Sequence, residues 1–330
     1  MKPNRSAVWL LVGIVVGFGL PVLALIGVVF ALVLSSAQLA GQTGSSLNKA
    51  TYLSGPESGP AVVLLDLVGP IISGKKPVFD TQPIAAAGDI VPLIRQIDEN
   101  ADIKALVLRI NSPGGSVVGS DEIYHALQEM EKPIVVLMQE VAASGGYYIS
   151  MAAGFIVVNP NTITGSIGVI GQFPNAEKLV DKIGFEMTTI KSGKSKDIGN
   201  PFRAMTVEEK AIFQDIVDET YGRFVGIVAT GRNLPEAQVR ELADGRVYTG
   251  QKALELGLVD ALGYQRDAVS KAAELAGIEG EPRLIHYKDE ATFFEMLVGR
   301  GWTGLAAIPG LPYNWIGRMM APSLEFRWEP

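Results

Sequence analysis

The chain has 330 residues, of which 48% are hydrophobic and 19% charged, a balance that excludes a disordered protein. It contains no cysteine and two histidines, which excludes disulfide frameworks, thiolate nucleophiles and histidine-rich metal sites. The formal net charge of −7 provides no positive field for nucleic acid, so we expect no nucleic-acid partner. We also expect no cofactor.

The first 37 residues contain a long apolar segment. From Ala7 to Leu34, 28 residues pass without an ionisable side chain, and as a helix they would reach ~42 Å against a hydrocarbon core of ~30 Å. Ser35-Ser36-Ala37 could form a signal-peptidase cleavage site, but the apolar region of a signal peptide is typically only ~7–15 residues long. We therefore expect residues 1–37 to form one uncleaved transmembrane anchor, which contacts the lipid bilayer through residues 7–34.

The charges around this segment predict its orientation. Lys2 and Arg5 precede it, and positively charged residues favour the cytoplasmic side of a membrane. We therefore expect a single-pass protein of the cell membrane, with a cytoplasmic N-terminus and an extracytoplasmic domain.

The remaining chain divides into three parts. Residues 38–60, rich in Gly, Ser, Thr, Asn and Pro, predict a linker. Residues 61–283 alternate short β-branched apolar runs with helical patterns, which predicts one α/β domain. Residues 284–330 form a C-terminal extension that breaks this rhythm, and it could pack on the domain, cover a subunit interface or touch the membrane.

Within the domain we predict strands at 61–67, 105–110, 134–138 and 155–158, an extended segment at 186–190, and helices at 90–97, 116–130, 144–153, 176–182, 206–230, 235–242 and 250–256.

A first candidate site is the turn Asn111-Ser112-Pro113-Gly114-Gly115-Ser116, between a predicted strand and a predicted helix. Consecutive glycines let the backbone approach a ligand and direct N–H groups at negative charge. The turn lacks the Gly-Lys-Ser/Thr ending of a phosphate loop. On local evidence alone, a plain strand-to-helix turn is the simpler interpretation.

A second candidate is Ala142-Ala143-Ser144-Gly145-Gly146-Tyr147-Tyr148, again between a strand and a helix. Small neighbours leave room for a substrate carbonyl beside the Ser144 hydroxyl, and the N–H of the next glycine could stabilise an oxyanion. A helix N-cap is an equally good explanation of this serine.

A serine nucleophile needs a general base. His125 lies inside a predicted helix and His286 near the end of the domain, so neither is a good candidate. The segment Lys191-Ser192-Gly193-Lys194-Ser195-Lys196-Asp197 offers three lysines, although without further context it is more simply a solvated basic loop. An ordinary lysine, with a pKa of ~10.4, must lose ~3 pKa units to act as a base near pH 7, mainly through burial.

Taken together, these motifs resemble the short form of the signal peptide peptidase A family, membrane-anchored serine proteases with the Clp/crotonase fold, a spiral of β-β-α units. The resemblance covers residues 61–277. It rests on the order and spacing of five motifs: Asn111 to Gly115, Ala143 to Tyr148, Thr164-Gly165-Ser166-Ile167-Gly168-Val169, Lys191-Ser192-Gly193 followed by Lys196-Asp197, and Asp244-Gly245-Arg246-Val247-Tyr248.

The resemblance implies roles for individual residues. Ser144 falls on the family's nucleophile, and Lys196, rather than Lys191 or Lys194, falls on its general base. Gly115 and Gly145 fall on the two backbone donors of the oxyanion hole. Ser166 falls on the serine that orients the lysine.

The resemblance also implies an assembly and a substrate class. Short-form members are rings of identical subunits in which one subunit's lysine completes the serine site of its neighbour. The implied substrates are remnant signal peptides and other apolar peptides near the membrane. Two alternatives are disfavoured: a crotonase-like acyl-CoA enzyme would rarely meet coenzyme A outside the cytoplasm, and a catalytically silent scaffold would not need both Ser144 and Lys196.

Overall fold

The structure, a computed structural model, describes residues 50–77, 82–287 and 323–327. The predicted anchor at residues 7–34 lies outside the described residues, as do most of the predicted linker and most of the C-terminal extension. Among the helices in the described part of the chain, none combines the length and the apolar composition that crossing a bilayer requires.

The described residues form an α/β structure with two sheets. The strands are β1 (Ala50–Ser54), β2 (Ala61–Val68), β3 (Ile71–Ile72), β4 (Ala85–Ala86), β5 (Ile103–Ser112), β6 (Gly114–Ser116), β7 (Ile134–Ala143), β8 (Phe155–Val158), β9 (Ile163–Gly165), β10 (Ile170–Gln172), β11 (Val247–Thr249), β12 (Ala261–Leu262), β13 (Arg283–Tyr287) and β14 (Ser323–Arg327). The helices are α1 (Ala87–Glu99), α2 (Val117–Gln128), α3 (Gly145–Ser150), α4 (Glu177–Ile183), α5 (Val207–Arg232), α6 (Glu236–Leu242), α7 (Gly250–Glu255) and α8 (Gln265–Leu275).

The larger sheet has the order β1-β13-β2-β5-β7-β8-β12, with β9 beside β7 and β11 beside β9. The run from β13 to β12 is parallel, which agrees with its near-continuous apolar strands because such strands are buried on both faces. One face packs against the small side chains of α8, namely Ala268, Ala272 and Ala273. The α/β class predicted from the sequence is confirmed.

The smaller sheet has the order β10-β14-β6-β3-β4. Strand β6 lies between β3, to which it is parallel, and β14, to which it is antiparallel. Strand β14 is also antiparallel to β10. The C-terminal segment 323–327 is therefore an interior strand of this sheet, with a neighbour on each side.

Most predicted elements coincide with observed ones, and the differences have physical reasons. Residues 186–190 form no sheet strand, and Ile190 in this segment is 96% exposed. Strand β1 lies inside the predicted linker and β13 crosses the predicted boundary at residue 283, because the two pair with each other and extend the larger sheet. The capping box predicted at the start of the long helix is confirmed, with Thr206 as the N-cap of α5.

Candidate active site

The first glycine turn is held by its own polar residues. Ser112 Oγ accepts a hydrogen bond of 3.1 Å from the Gly114 amide, and Asn111 Oδ1 accepts one of 3.2 Å from the Val141 amide in β7. Ser112 is fully buried. These two bonds fix the turn to the neighbouring strand, close to the end of β7 where Ser144 follows.

The second glycine of this turn is required by the backbone. Gly115 has φ +152°, and a Cβ atom there would lie 2.2 Å from the carbonyl oxygen of Ile71 in β3. Any side chain would therefore collide with β3. Gly115 therefore has a structural role, because only glycine fits beside β3. Its backbone lies in the short strand β6, next to the turn that carries Ser144.

Ser144 occupies an unusual conformation at the junction of β7 and α3. Its φ is 52° and its ψ is −113°, and a positive φ at a residue other than glycine costs about 1–3 kcal/mol. Its side chain makes no capping hydrogen bond to α3, which argues against the N-cap explanation. A strained, 1% exposed serine between a strand and a helix has the geometry of a nucleophile elbow.

Gly145, the first residue of α3, brings the two glycine turns together. A Cβ atom at this position would lie 2.5 Å from Ser120 Oγ and 3.2 Å from Gly114 Cα. The backbone amides in the first turn of a helix have no partner within that helix. Gly145 can therefore offer its N–H group to a ligand, and only glycine fits this contact.

Ser166 lies next to the Ser144 backbone. The Ser144 amide donates a hydrogen bond of 2.8 Å to the Gly165 carbonyl, and the Ser166 amide donates one of 2.9 Å to the Arg246 carbonyl. Ser166 is 7% exposed and has φ 48°. Strand β11 pairs with β9, and the Tyr248 ring lies against Gly165, so the motif at residues 244–248 supports the segment that carries Ser166.

The two tyrosines of the serine motif anchor α3. Tyr147 donates a hydrogen bond of 2.8 Å to the Leu258 carbonyl, and Tyr148 donates one of 2.6 Å to Asp121 Oδ1. Burial raises the pKa of both phenols, and for Tyr148 the bond to Asp121 adds to this rise. Both side chains are therefore neutral hydrogen-bond donors that hold the helix in place.

Lys196 is the predicted site residue that the structure does not bring to the others. It is exposed, in a series of turns between Gly193 and Asn200, and the described residues show no hydrogen bond or ion pair between it and Ser144 or Ser166. Four of the five predicted residues therefore come together within one chain, while no contact among the described residues joins the exposed lysine to them.

Neither histidine is placed to act as a base. The His125 side chain is 74% exposed and lies 3.4 Å from Glu129 one helical turn away. His286 Nε2 lies 2.9 Å from Asp66 Oδ2 and 3.0 Å from Arg109 Nη2 in strands of the larger sheet. Within the described part of the chain, no group of three His, Asp or Glu side chains is suited to hold a metal ion.

An extended strand runs alongside the glycine turn. In the pairing of β14 with β6, Phe326 is opposite Gly115, and in the pairing of β14 with β10, Leu324 is opposite Gly171. The space between β6 and β10 is thus filled by β14, an extended segment with antiparallel backbone pairing on both sides. This is the geometry of β-strand addition, a common way to bind peptides.

Sequence reasoning missed the ion pairs around Lys196. Arg203 contacts both Asp197 and the buried Glu209 of α5. The spacing of these charges, each six residues from the next, was visible in the sequence. No periodicity rule connects residues six apart across a loop, so this signal could not be interpreted without the structure.

Comparison with known proteins identifies related families. A model described as Peptidase family S49 matches residues 126–279, and one described as Clp protease matches residues 74–161. The second match agrees with the mixed sheets and confirms a Clp protease-like α/β fold.

Individual relatives cover different shares of the chain. A protein described as signal peptide peptidase SppA from Enterococcus faecium is 34% identical over 301 residues, 87% of this chain and 86% of that protein. A protein described as a protease from Synechocystis sp. is 49% identical over 183 residues, 55% of this chain and 66% of that protein. Protease 4 of Salmonella typhi is 37% identical over 246 residues, 73% of this chain and 39% of that protein.

The chain thus spans just under two thirds of the Synechocystis protein and well under half of Protease 4. The Enterococcus protein, by contrast, is matched over most of both chains. The resemblance seen in the sequence motifs is confirmed, and the chain belongs to peptidase family S49.

Proposed function

We propose that this protein is a serine endopeptidase in which Ser144 is the nucleophile and Lys196 the general base. The conformation of Ser144 carries the proposal: the residue is strained, buried and free of a capping role, and it lies between Gly145 and the Gly165 carbonyl. Membership of a peptidase family supports the same reaction class. The glycine turn at Gly115 supplies a second backbone segment beside the serine.

The reaction follows from these positions. Neutral Lys196 takes the Ser144 proton while Oγ attacks the peptide carbonyl carbon, and the N–H groups of Gly115 and Gly145 hold the oxyanion. The lysine ammonium then protonates the leaving amine, the C–N bond breaks and an acyl-enzyme remains. Water, deprotonated by Lys196, attacks the ester carbonyl, and Ser144 recovers its proton as the C–Oγ bond breaks.

The exposed position of Lys196 supports an assembly in which a second subunit covers it. In a single chain its side chain is in water, where the ammonium is favoured, and a base must be neutral. We propose that the protein forms a ring in which the Lys196 of one subunit enters the Ser144 site of the next. Burial there would favour the neutral amine, and Ser166, beside Ser144, would orient it.

The substrates we propose are remnant signal peptides and other apolar peptides, bound in extended conformation between β6 and β10. Residues 7–34 would hold the protein in the cell membrane as a single span, with the N-terminus in the cytoplasm and the catalytic domain outside. Such an anchor would keep the enzyme at the membrane, where such peptides are released.

The proposal is tested by replacing Ser144 with Ala and Lys196 with Met in full-length protein, with folding and molar mass checked in solution. Both variants should lose cleavage of a fluorogenic apolar peptide by more than about 1,000-fold. The matched control is Lys194→Met, which changes an exposed lysine of the same loop and should keep full activity.

A serine-directed fluorophosphonate should label the wild-type protein and fail to label the Ser144→Ala variant. Undiminished peptide cleavage by either Ser144→Ala or Lys196→Met, in assembled protein, would overturn the assignment.

A further inference from the structure

The loop that carries Lys196 has a well-defined backbone and an unengaged lysine. The Lys196 amide donates a hydrogen bond of 3.2 Å to the Gly193 carbonyl, and the Asn200 amide donates one of 3.1 Å to the Asp197 carbonyl. Among the described residues, no hydrogen-bond or ion-pair partner is found for the Lys196 ammonium, which is exposed. The backbone is therefore fixed on both sides of a lysine whose side chain is available.

The carboxylate next to this lysine is fully occupied by other cations. Asp197 Oδ1 accepts a hydrogen bond of 2.6 Å from Lys191 Nζ, and Asp197 Oδ2 accepts one of 3.0 Å from Arg203 Nε. The bonds from Arg203 and then from Lys191 hold the pKa of Asp197 well below its usual range. Asp197 is thus ionised and is bound by two cations other than its sequence neighbour Lys196.

Arg203 connects this carboxylate to the long helix. Its Nη1 donates a hydrogen bond of 2.8 Å to Glu209 Oε2, its Nη2 donates one of 2.5 Å to Glu209 Oε1, and Nη2 also donates one of 3.0 Å to the Asp197 carbonyl. Glu209 is 5% exposed and closes the capping box with Thr206 at the start of α5. One guanidinium therefore joins the loop of Lys196 to the first turn of a 26-residue helix.

The remaining charges near the loop are also paired. Lys194 Nζ lies 3.6 Å from Glu208 Oε1, and both of these side chains are exposed. Lys191 Nζ, besides its bond to Asp197, donates one of 3.1 Å to the Lys194 carbonyl. Lys191, Lys194 and Glu208 thus have partners other than Lys196.

We propose that Arg203 is a positioning residue for Lys196, which it serves by fixing the loop to α5 and by keeping the Asp197 carboxylate engaged. This inference rests on the proposed function, in which Lys196 is the general base. A free carboxylate beside the lysine would stabilise its ammonium and oppose proton acceptance. A mobile loop would also lose the preorganised approach of the lysine to its serine.

The test uses full-length, assembled protein and the pH dependence of kcat/KM on a fluorogenic apolar peptide. Arg203→Met should lower kcat near neutral pH by roughly 10- to 100-fold. It should also move the acid limb of the pH profile to higher pH by about one unit, because Asp197 Oδ2 has then lost its cation and can pair with Lys196, while Oδ1 keeps its bond from Lys191. Arg203→Lys keeps the positive charge but not the bidentate contact with Glu209. Its kcat and its acid limb should therefore lie between those of the wild type and of Arg203→Met.

Adding Asp197→Asn to Arg203→Met should return the acid limb to the wild-type pH while kcat stays low, because the competing carboxylate is gone but the loop remains unfixed. The matched control is Arg240→Met, which removes an exposed arginine lying 3.6 Å from Glu236 and should leave the profile unchanged. If Arg203→Met does not assemble, Arg203→Lys and its Asp197→Asn combination give the same comparison.

Two results would overturn the inference. One is a wild-type profile for the Arg203 variants, and the other is a loss of activity that follows the loss of folded protein with no movement of the acid limb. Lys196→Met, assayed in parallel, separates this failure from that of the proposed function. If Lys196→Met is inactive and the Arg203 variants are normal, only the positioning role fails, whereas an active Lys196→Met protein removes the base assignment itself.

Discussion

The Ser144 amide donates a 2.8 Å hydrogen bond to the carbonyl of Gly165, the residue directly before Ser166. Parallel pairing of β7 with β9 leads into this contact, with Ala143 opposite Gly165. Two serines far apart in the sequence are thereby fixed next to each other by backbone geometry alone. Lys196 makes no contact with either serine among the described residues. The first prediction therefore asks whether Lys196 is supplied by a second subunit.

Mixing two inactive variants should restore activity if the site is shared between subunits. In rings assembled at random from equal amounts of Ser144→Ala and Lys196→Met subunits, about a quarter of the sites would combine an intact serine with an intact lysine. We expect peptide cleavage near that fraction of the wild-type rate when the subunits are mixed before assembly. A mixture of Ser144→Ala with the double variant should stay inactive, and an inactive first mixture of well-formed rings would place both residues within one chain.

Gly145→Ala should lower activity through contact with Ser120. The new Cβ atom would lie 2.5 Å from Ser120 Oγ, so the start of α3 and its free amide must shift. We expect kcat/KM to fall by roughly 10- to 1,000-fold, up to the ~100- to 1,000-fold that complete loss of an oxyanion donor costs. Ser120→Ala added to Gly145→Ala should recover part of the loss.

The control for this prediction is Gly154→Ala, where the nearest atom to an added Cβ is the Ile134 carbonyl oxygen at 3.9 Å. This variant should behave as wild type in the same kinetic assay. Full activity of Gly145→Ala would show that the amide is not used.

Gly115→Ala should destabilise the fold itself. An alanine would adopt φ +152° with its Cβ 2.2 Å from the Ile71 carbonyl oxygen, and we expect the free energy of unfolding to fall by ~2–4 kcal/mol. Urea unfolding followed by circular dichroism measures this change. Gly222→Ala in α5, where an added Cβ meets nothing within 4 Å, should instead stabilise by ~0.5–1 kcal/mol. Equal stability of the two variants would contradict the close contact with β3.

The protein should lose stability at acidic pH as the Glu209 carboxylate, which binds Arg203, becomes protonated. The hydrogen bond from Arg203, followed by that from the Thr206 backbone, lowers the pKa of Glu209 from 4.5 to about 2. A carboxyl group with a lower pKa in the folded state contributes stability above pH 4.5, and this contribution is lost as the pH falls from 4.5 towards 2. Glu209→Gln should therefore be less stable at pH 7 and show a flatter pH dependence in that window.

Thermal melts at closely spaced pH values measure this difference, with the exposed Glu241→Gln as the control. Parallel curves for the wild type and Glu209→Gln would show that Glu209 does not contribute in this way.

Removing residues 323–330 should increase access to the peptide groove. Strand β14 pairs with both β6 and β10, so it competes for the same edges that an extended substrate would use. We expect KM for a fluorogenic peptide to fall by roughly 3- to 10-fold with little change in kcat, because a larger fraction of the protein is then ready to bind. Removal of residues 328–330 alone keeps β14 and should have no effect. A loss of activity on the longer truncation would show that β14 completes the site instead of competing for it.

Local sequence patterns were sufficient for the α/β class, the main strands and the position of Ser144 at a strand-to-helix junction. Buried parallel strands are continuous apolar runs, and a capping box such as that of Thr206 and Glu209 depends on residues three apart. Strand β1 within the predicted linker could not be found in this way, because its place is set by pairing with β13 at the other end of the chain.

The composition of the chain, without cysteine and with two histidines, by itself left serine and lysine as the candidate nucleophile and base. Only the tertiary structure decided which of these residues meet. Backbone pairing brings Gly115, Ser144, Gly145 and Ser166 together, whereas Lys196 remains on the surface with its neighbour Asp197 bound to Arg203. The physical reason is that residue types and spacing determine local conformation, while contacts between distant strands and across loops arise from packing of the whole chain.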